Sequence, residues 1–384
     1  MREKLICTFP GNRMAPPLFL GERNIVASTS QGVYHYCNGT LQTLINYDAA
    51  GLCGMRTRLI EGVLDPYLGD DGFQRPLLLN DKIYAFSAGR SHWHAVLDVF
   101  SQNGQHLSHK ELTDIGFFWC GASETHIFCL GYQTVCIMDT EGRILHQTEF
   151  GTLSFPSAAA ICGDSVLFIG IREKERWLTR VWGDGTLETI FDLGPEWSNC
   201  PVLGLVVSPP YVCLHWQAIE KESAGSAFYL FRMESSGQLA FLQRLEIVGR
   251  DRACALAGGF LLKDGRLLCT DYYSTGDPIT KWPPDPDALY GRLVTVSVCD
   301  QTYSYVRFPR ECGHAAPAPV VMGKDGTVGT LWYNHNDHPF YILYRDGDWQ
   351  AGPARRQQYL LEHNGALYVC DVGGKASKLR LIQP

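Results

Sequence analysis

Residues 18–45 read LFLGERNIVASTSQGVYHYCNGTLQTLI, and this stretch decides the fold. It contains four apolar runs, at 18–20, 25–27, 33–36 and 41–45, separated by polar turns such as Asn38-Gly39. Short apolar runs bounded by turn dipeptides are typical of β-strands, and Asn-Gly suits a two-residue hairpin. The stretch therefore predicts four antiparallel strands joined by tight turns.

The same four-strand unit recurs along the whole chain. Further units occupy residues 76–112, 117–150, 158–191, 203–247, 259–308, 320–349 and 359–382. The last unit has only three strands, but residues 4–9 supply a spare strand ahead of the first unit. Eight units in 384 residues average 48 residues each, which is within the usual range for a propeller blade.

In architecture the repeat resembles the β-propeller superfamily over residues 1–384, which we interpret as a single domain. The resemblance implies an all-β, eight-bladed propeller of four-stranded antiparallel blades, closed by the N-terminal strand joining the C-terminal blade. Seven blades is the alternative, because the short seventh and eighth units could be merged. Repeated Trp-Asp dipeptides, kelch-type Gly-Gly pairs and sialidase-type Asp boxes are missing from the sequence, and fold alone does not give function.

The composition is that of a soluble globular protein, with 45% apolar and 19% charged residues. A net charge of −7 without a basic block argues against a nucleic-acid partner, and no apolar run is long enough to predict a membrane span.

The 14 cysteines leave a secreted disulfide framework open. Free, buried thiols in a reducing cytosol fit better, because the cysteines are scattered and several fall inside predicted strands. We therefore predict a cytoplasmic protein. The cysteines inside predicted strands are Cys129, Cys136, Cys213, Cys269 and Cys370.

A four-stranded meander sorts its connections between two faces. The first-to-second and third-to-fourth strand turns share one face, which we call the short-turn face. The second-to-third loops and the connections between blades share the other, the long-loop face. Long loops on a rigid scaffold are the usual place for binding and catalysis, so we predict that function lies on the long-loop face. The predicted long loops are 47–74, 88–94, 172–176, 194–201, 217–226, 273–291, 310–317 and 334–339.

Two histidine-rich segments fall on the predicted long-loop face, at 92–94 and 334–338. Imidazoles beside a carboxylate can bind zinc or manganese, with His335 and His338 as the candidate ligands. A histidine can also serve as a general base. Loop histidines more commonly bond backbone groups, and we favour that interpretation over a metal site.

Three neighbouring blades carry polar or aromatic residues at equivalent places on their second strands, at 215–216, 271–272 and 333. Such positions converge around the mouth of a propeller. For the tryptophan and tyrosine rings, a purely structural role in packing between adjacent blades is about as probable as a functional one. A structural role suits Asp271 less well, because a buried carboxylate needs a partner. The candidate catalytic residues are His215, Asp271, Tyr272, Tyr333 and His335. The candidate ligand-binding residues are His92, Trp93, His94, Trp216, Trp282, Asn334 and Asp337.

Two functions compete at this point. In the first, the central mouth binds a polar ligand, such as a sugar, a glycan or another small organic molecule, with metal-assisted or histidine-based lyase or hydrolase chemistry as an extension by analogy. The alternative is a non-catalytic scaffold that grips a protein partner with the same face, since Trp, Tyr and Arg are also favoured interface anchors. The sequence leaves open whether the protein is an enzyme.

Overall fold

The computed structural model describes residues 2–57, 72–89, 94–113, 117–153, 158–195, 202–220, 223–248, 255–274, 289–307, 314–315, 320–333 and 339–383. Eight antiparallel sheets, each with four strand positions, form an eight-bladed β-propeller. This confirms the predicted fold, and the seventh and eighth units form separate sheets rather than one merged blade.

The N-terminal strand belongs to the last blade, and the next strands build blades 1 to 4 in chain order. The N-terminal strand is β1 (Arg2–Pro10). Blade 1 comprises β2 (Leu18–Gly21), β3 (Asn24–Ser28), β4 (Gly32–Cys37) and β5 (Thr40–Asn46). Helix α1 (Tyr47–Ala50) leads to blade 2, with β6 (Cys53–Gly54), β9 (Leu77–Leu79), β10 (Lys82–Ala88), β11 (His94–Ser101) and β12 (His106–Thr113). A separate pair, β7 (Arg56–Thr57) and β8 (Gly72–Phe73), lies between β6 and β9 in the chain. Blade 3 comprises β13 (Phe117–Ala122), β14 (Ile127–Gly131), β15 (Thr134–Met138) and β16 (Ile144–Glu149). Blade 4 comprises β17 (Thr152–Leu153), β18 (Ala159–Ile161), β19 (Ser165–Arg172), β20 (Glu175–Trp182) and β21 (Leu187–Pro195).

Blades 5 to 8 follow the same order, and in blades 2, 4 and 7 two short segments share the first strand position. Blade 5 comprises β22 (Val202–Ser208), β23 (Tyr211–Glu220), β24 (Ser223–Met233) and β25 (Leu239–Val248). Blade 6 comprises β26 (Ala255–Lys263), β27 (Arg266–Ser274), β28 (Leu289–Ser297) and β29 (Thr302–Arg307). Blade 7 comprises β30 (His314–Ala315), β31 (Val321–Met322), β32 (Val328–Tyr333), β33 (Pro339–Arg345) and β34 (Asp348–Ala351). Blade 8 comprises β35 (Gln358–His363), β36 (Ala366–Asp371), β37 (Ala376–Gln383) and β1.

Apolar side chains from neighbouring blades form the core, which lies between the sheets. The second strands β3, β10 and β14 are buried along nearly their whole length because they have a blade on each side. This explains why they read as continuous apolar runs rather than as alternating ones. The outer strands β16 and β29 are exposed along nearly their whole length. Within the described residues, the cysteines are free thiols, and those predicted inside strands are buried.

The N-terminal strand closes the ring as predicted. It pairs antiparallel with β37 from Arg2 opposite Gln383 to Pro10 opposite Ala376. Glu3 then ties this strand to two neighbours. It accepts a hydrogen bond of 2.9 Å from the Tyr341 hydroxyl of blade 7 and forms an ion pair with Arg355. The N-terminal strand is therefore held by backbone pairing with the last strand and by side-chain contacts with Tyr341 and Arg355.

On the short-turn face, side chains link each of the first blades to the next one. A side chain of one blade donates a hydrogen bond to a backbone carbonyl in the third-to-fourth turn of its neighbour. The pairs are Gln42 Nε2 to Gly104 (3.2 Å), Lys110 Nζ to Glu141 (2.6 Å), Thr148 Oγ1 to Gly185 (2.8 Å) and Arg180 Nη1 to Gly237 (2.7 Å). These contacts fix the relative position of blades 1 to 5 at this face.

The predictions of long loops at 172–176 and 217–226 are wrong. Strand β23 continues to Glu220 and β24 begins at Ser223, so most of 217–226 is strand. Strands β19 and β20 likewise meet at a tight turn, in which Glu173 and Lys174 both have positive φ. Polar and small residues extend these hairpins beyond their apolar segments, which is why hydrophobic pattern alone placed loops there.

Replacing Gly151 by alanine is expected to destabilise the protein more than the same change at Gly39. Both glycines have similar backbone angles, with φ of +100° and +93°, so an alanine is strained at either position. A Cβ atom at Gly151 would lie 2.4 Å from the Ile171 carbonyl oxygen, whereas one at Gly39 meets nothing within 4 Å. We expect Gly151→Ala to lose about 2 kcal/mol more in urea unfolding than Gly39→Ala. Equal losses would contradict this close approach of backbone.

Candidate functional site

For most of the candidate residues the structure describes no side chain. The following lie outside the described residues: His92, Trp93, Trp282, Asn334, His335, Asp337 and His338. For Trp216, Asp271, Tyr272 and Tyr333 the structure describes the backbone alone. Only His94 and His215 have described side chains. The proposed convergence of these residues on one mouth therefore stays a prediction.

The strand pairing does place three of these positions on the second strands of adjacent blades. His215 lies in β23, Asp271 lies in β27 and Tyr333 ends β32. In the sheet register His215 is opposite Phe228, and Asp271 is opposite Arg292. His215 lies in the middle of its strand, not at the end, because β23 extends five residues beyond it to Glu220.

His215 lies in the core between strands. Its side chain is 1% exposed, and its ring stacks on Phe228 with the centroids 4.6 Å apart. Burial lowers the pKa of His215 to about 3, because a charged imidazolium would lose its hydration there. His215 is therefore neutral at physiological pH.

Lowering the pH is expected to destabilise the protein through His215. Its pKa falls from 6.5 to about 3 on folding, so between these values the unfolded chain takes up a proton that the folded protein does not. The stability contributed by the neutral side chain is complete above pH 6.5 and is lost towards pH 3, by up to about 1.4 kcal/mol per pH unit. Urea unfolding across this range should show a shallower pH dependence for His215→Gln than for the wild type. Parallel curves for the two proteins would contradict the assignment.

His94 begins β11 and is partly exposed. Its Nε2 atom lies 3.8 Å from a carboxylate oxygen of Glu111 on the adjacent outer strand, and its backbone carbonyl accepts a hydrogen bond of 2.7 Å from Gly89.

Across the described part of the chain, no group of three or more His, Cys, Asp or Glu side chains is arranged to hold a metal ion. No helix in these residues has the length and apolarity needed to cross a membrane.

The short-turn face carries a cavity of about 870 Å³, formed by first-to-second turns and adjoining strand ends of blades 2, 3 and 4. In a propeller the first strand of each blade is the innermost one, so these turns lie on the inner part of this face. Apolar and polar residues both line the cavity. The lining residues are Leu78, Leu79, Asn80 and Asp81 of blade 2, Ala122, Ser123, Glu124 and Thr125 of blade 3, and Ile161, Gly163 and Asp164 of blade 4. We call this site the short-turn mouth.

Asp164 is the most strongly bonded carboxylate at the short-turn mouth. Its Oδ1 atom accepts hydrogen bonds from Ser123 Oγ (2.6 Å), Thr125 Oγ1 (2.7 Å) and His126 Nδ1 (2.9 Å), all from blade 3. Partial burial acts to raise the pKa of Asp164, but the hydrogen bonds from Ser123, His126 and Thr125 outweigh it and the pKa is lowered. Asp164 is therefore a fixed negative charge that also joins two blades.

These contacts do not form a catalytic triad. The Ser123 hydroxyl donates directly to Asp164, whereas a nucleophilic serine would bond to the histidine that removes its proton. His126 also bonds to the carboxylate and is not placed between the two. The arrangement fixes the two turns and the negative charge, and it does not activate a nucleophile.

Two further carboxylates, of Asp81 and Glu124, border the short-turn mouth. Asp81 accepts a hydrogen bond of 2.8 Å from Gln102, and the Glu124 side chain is exposed. The described lining residues include neither lysine nor arginine. Leu78, which is 37% exposed, supplies apolar surface beside these charges. A cationic group on an aliphatic stem has the complementary chemistry.

The sequence contained a signal for this site. The segment 123–126 reads Ser-Glu-Thr-His, and Gly163-Asp164 occupies the corresponding turn one blade later. Neighbouring turns of a propeller lie side by side, so these polar groups are brought into contact by the repeat itself. Sequence reasoning missed them because turns on the short-turn face were interpreted as structural hairpins only.

No protein-family model and no curated protein matches the chain. Among solved structures it is similar to the WD40 domain of Neurospora crassa Pan2, at 9% identity and a TM-score of 0.43, covering 80% of this chain and 87% of that one. It is also similar to Kluyveromyces lactis Hsv2 (11% identity, TM-score 0.46, covering 92% and 99%) and to the N-terminal domain of Nup159 (9% identity, TM-score 0.44, covering 87% and 96%). The assignment of eight blades rests on the strand pairing of the chain itself.

Proposed function

We propose that the protein is a non-catalytic interaction scaffold, and that its short-turn mouth binds a lysine or arginine side chain of a protein partner. The observation that carries this proposal is a cavity bordered by Asp81, Glu124 and Asp164 with no cation among its described lining residues. A cationic side chain from a partner would neutralise these charges and lay its methylene groups on the apolar lining.

The rigidity of the site supports binding without large rearrangement. Hydrogen bonds to Asp164 hold the turns of blades 3 and 4 together, and Gly183 donates its backbone N–H to the Asp164 carbonyl at 2.9 Å. A preorganised site loses less conformational entropy when a ligand binds. Most of the conformational entropy lost on binding would then be lost by the partner rather than by the propeller.

Binding of short labelled peptides tests the proposal directly. The probe is a fluorescein-labelled nonapeptide of serine and alanine with one central arginine, compared with the same peptide carrying glutamine. Fluorescence anisotropy at low ionic strength should show saturable binding of the arginine peptide, and about tenfold weaker binding of the glutamine peptide. Similar binding of both peptides, or of neither, would contradict the proposal.

A pair of charge reversals locates the interaction. Glu124 and Glu22 are both exposed residues of first-to-second turns, in blades 3 and 1 respectively, but only Glu124 lines the cavity. Glu124→Lys is expected to weaken binding of the arginine peptide about tenfold, whereas Glu22→Lys should change it less than about twofold. Equal effects of the two substitutions would place the interaction elsewhere.

The polar-ligand function of the long-loop face remains a separate prediction. It depends on His335, His338 and Trp282, which lie outside the described residues. Metal analysis of the purified protein, together with ligand binding or turnover by His335→Ala, would test it. Absence of stoichiometric metal and unchanged behaviour of the variant would reject the metal-assisted version.

A further inference from the structure

A second, smaller cavity lies between the end of blade 3 and one side of blade 4. Its volume is about 290 Å³, and it shares no lining residue with the short-turn mouth. The lining includes Glu149 and Phe150 at the end of blade 3, and Gly170, Arg172, Trp177 and Leu187 of blade 4. This volume is at the small end of the range for ligand pockets, so the cavity suits one small molecule. We call this site the inter-blade cavity.

Gly170 leaves open space in the buried part of the inter-blade cavity. It lies opposite Trp177 in the register of β19 and β20, and a Cβ atom there would come to 3.2 Å from Thr179 Oγ1 and 3.5 Å from the Phe150 ring. A larger side chain at this position would occupy space that is now open. The Phe150 ring is held against Phe168 of blade 4, with the ring centroids 4.5 Å apart. This part of the cavity is therefore formed by well-packed groups.

The apolar lining of the inter-blade cavity suits an aromatic group. Phe150 is buried, Trp177 is partly exposed and Leu187 is 37% exposed, so apolar surface continues from the interior to the solvent. Aromatic rings pack favourably against tryptophan and phenylalanine in edge-to-face or offset arrangements. An aromatic ring of a ligand would therefore find both packing area and preferred partners here.

The lining also carries one charged group of each sign. Glu149 and Arg172 are exposed and both line the inter-blade cavity. Neither forms an ion pair or a side-chain hydrogen bond with another residue in the described part of the chain. A ligand carboxylate would pair with the guanidinium of Arg172, and a ligand ammonium group would pair with the carboxylate of Glu149.

Two neighbouring carboxylates do not line the cavity but affect the choice of ligand. Glu175 lies opposite Arg172 in the register of β19 and β20. Asp192 lies opposite Trp177 and accepts a hydrogen bond of 2.7 Å from the Gly194 backbone N–H. These negative charges disfavour a ligand that is only anionic, and Arg172 disfavours one that is only cationic. A ligand that carries both charges is the best match.

We propose that the inter-blade cavity binds a free α-amino acid with an aromatic side chain. The ring would pack against Phe150 and Trp177, the α-carboxylate would pair with Arg172, and the α-ammonium group would pair with Glu149. The site differs from the short-turn mouth in position and in ligand. It goes beyond the proposed function because the bound molecule is a small zwitterion rather than a side chain of a protein partner.

Equilibrium dialysis of the intact protein with radiolabelled L-phenylalanine tests the proposal. Saturable binding of one molecule per chain is expected at concentrations below about 1 mM. Three competitors each lack one recognised group: L-phenylalaninamide lacks the carboxylate, 3-phenylpropanoate lacks the ammonium group and L-alanine lacks the ring. Each is expected to compete about tenfold less well than unlabelled L-phenylalanine.

Three single substitutions locate the bound amino acid. Arg172→Gln and Glu149→Gln each remove one charge at an exposed position, and each is expected to weaken binding about tenfold. Arg232→Gln removes an exposed arginine of β24 that does not line the cavity, and it should change binding less than about twofold. Equal competition by the analogues or equal effects of the two arginine substitutions would overturn the proposal. So would the absence of saturable binding up to about 10 mM L-phenylalanine.

Discussion

Replacing Phe9 by alanine is expected to lower the free energy of unfolding by about 3–5 kcal/mol. Phe9 lies on the N-terminal strand, is 0% exposed and packs in a buried cluster with residues of blades 7, 8 and 1. The substitution therefore leaves a cavity at the point where the ring closes. Urea unfolding measures the loss, and we expect β1 to exchange its amides faster in the variant.

Leu5 provides a matched control on the same strand. It is 48% exposed, so Leu5→Ala should cost less than about 1 kcal/mol while leaving the backbone pairing intact. If Phe9→Ala were as mild as Leu5→Ala, the N-terminal strand would not be part of the core, and closure of the ring by this strand would be wrong.

Replacing Arg180 by alanine is expected to cost about 2–4 kcal/mol, because the side chain is completely buried and its partners would lose a charged donor. Arg180 donates to the Gly237 carbonyl at 2.7 Å and to Cys162 Sγ at 3.4 Å. It also lies 3.6 Å from Glu188 and stacks over the Trp182 ring at 4.3 Å. Its loss would weaken the contact between blades 4 and 5, and thermal and urea unfolding would measure the effect.

Arg143 is the appropriate comparison for this substitution. It forms an ion pair of 2.7 Å with Asp139, but its side chain is 70% exposed. Exposed ion pairs contribute little to the free energy of unfolding, so Arg143→Ala should lower it by less than about 1 kcal/mol. Similar losses for Arg180→Ala and Arg143→Ala would show that the buried arginine does not hold the two blades together.

The fold could be predicted from the sequence because its turns carry local information. Asn38-Gly39 predicts a hairpin turn, and Asp346-Gly347 and Asn364-Gly365 are dipeptides of the same kind in later blades. Both residues of each pair have positive φ. Asparagine, aspartate and glycine tolerate this conformation better than other residues. Because such turns recur between apolar runs, the number of blades, the antiparallel pairing within them and the closing role of residues 4–9 could all be predicted.

The candidate site could not be predicted from turn dipeptides and hydrophobic periodicity in the same way. Strand β23 extends through Gln217 to Glu220 because backbone pairing with β24 continues beyond the apolar residues. The contacts of Asp164 with Ser123, Thr125 and His126 join two blades, and their geometry depends on how the turns are placed across the blade boundary. Hydrophobic periodicity reports the faces of a strand, but it does not report which polar turn residues meet across blades.

Hydrogen exchange with the bound arginine peptide tests the central claim most directly, namely that the short-turn mouth is the binding site. The account predicts slower exchange at the turns containing Asn80-Asp81, Glu124-Thr125 and Gly163-Asp164, which line the cavity. It predicts loss of this protection in Glu124→Lys and its retention in Glu22→Lys. Protection confined to the long-loop face, with these three turns unchanged, would contradict the account.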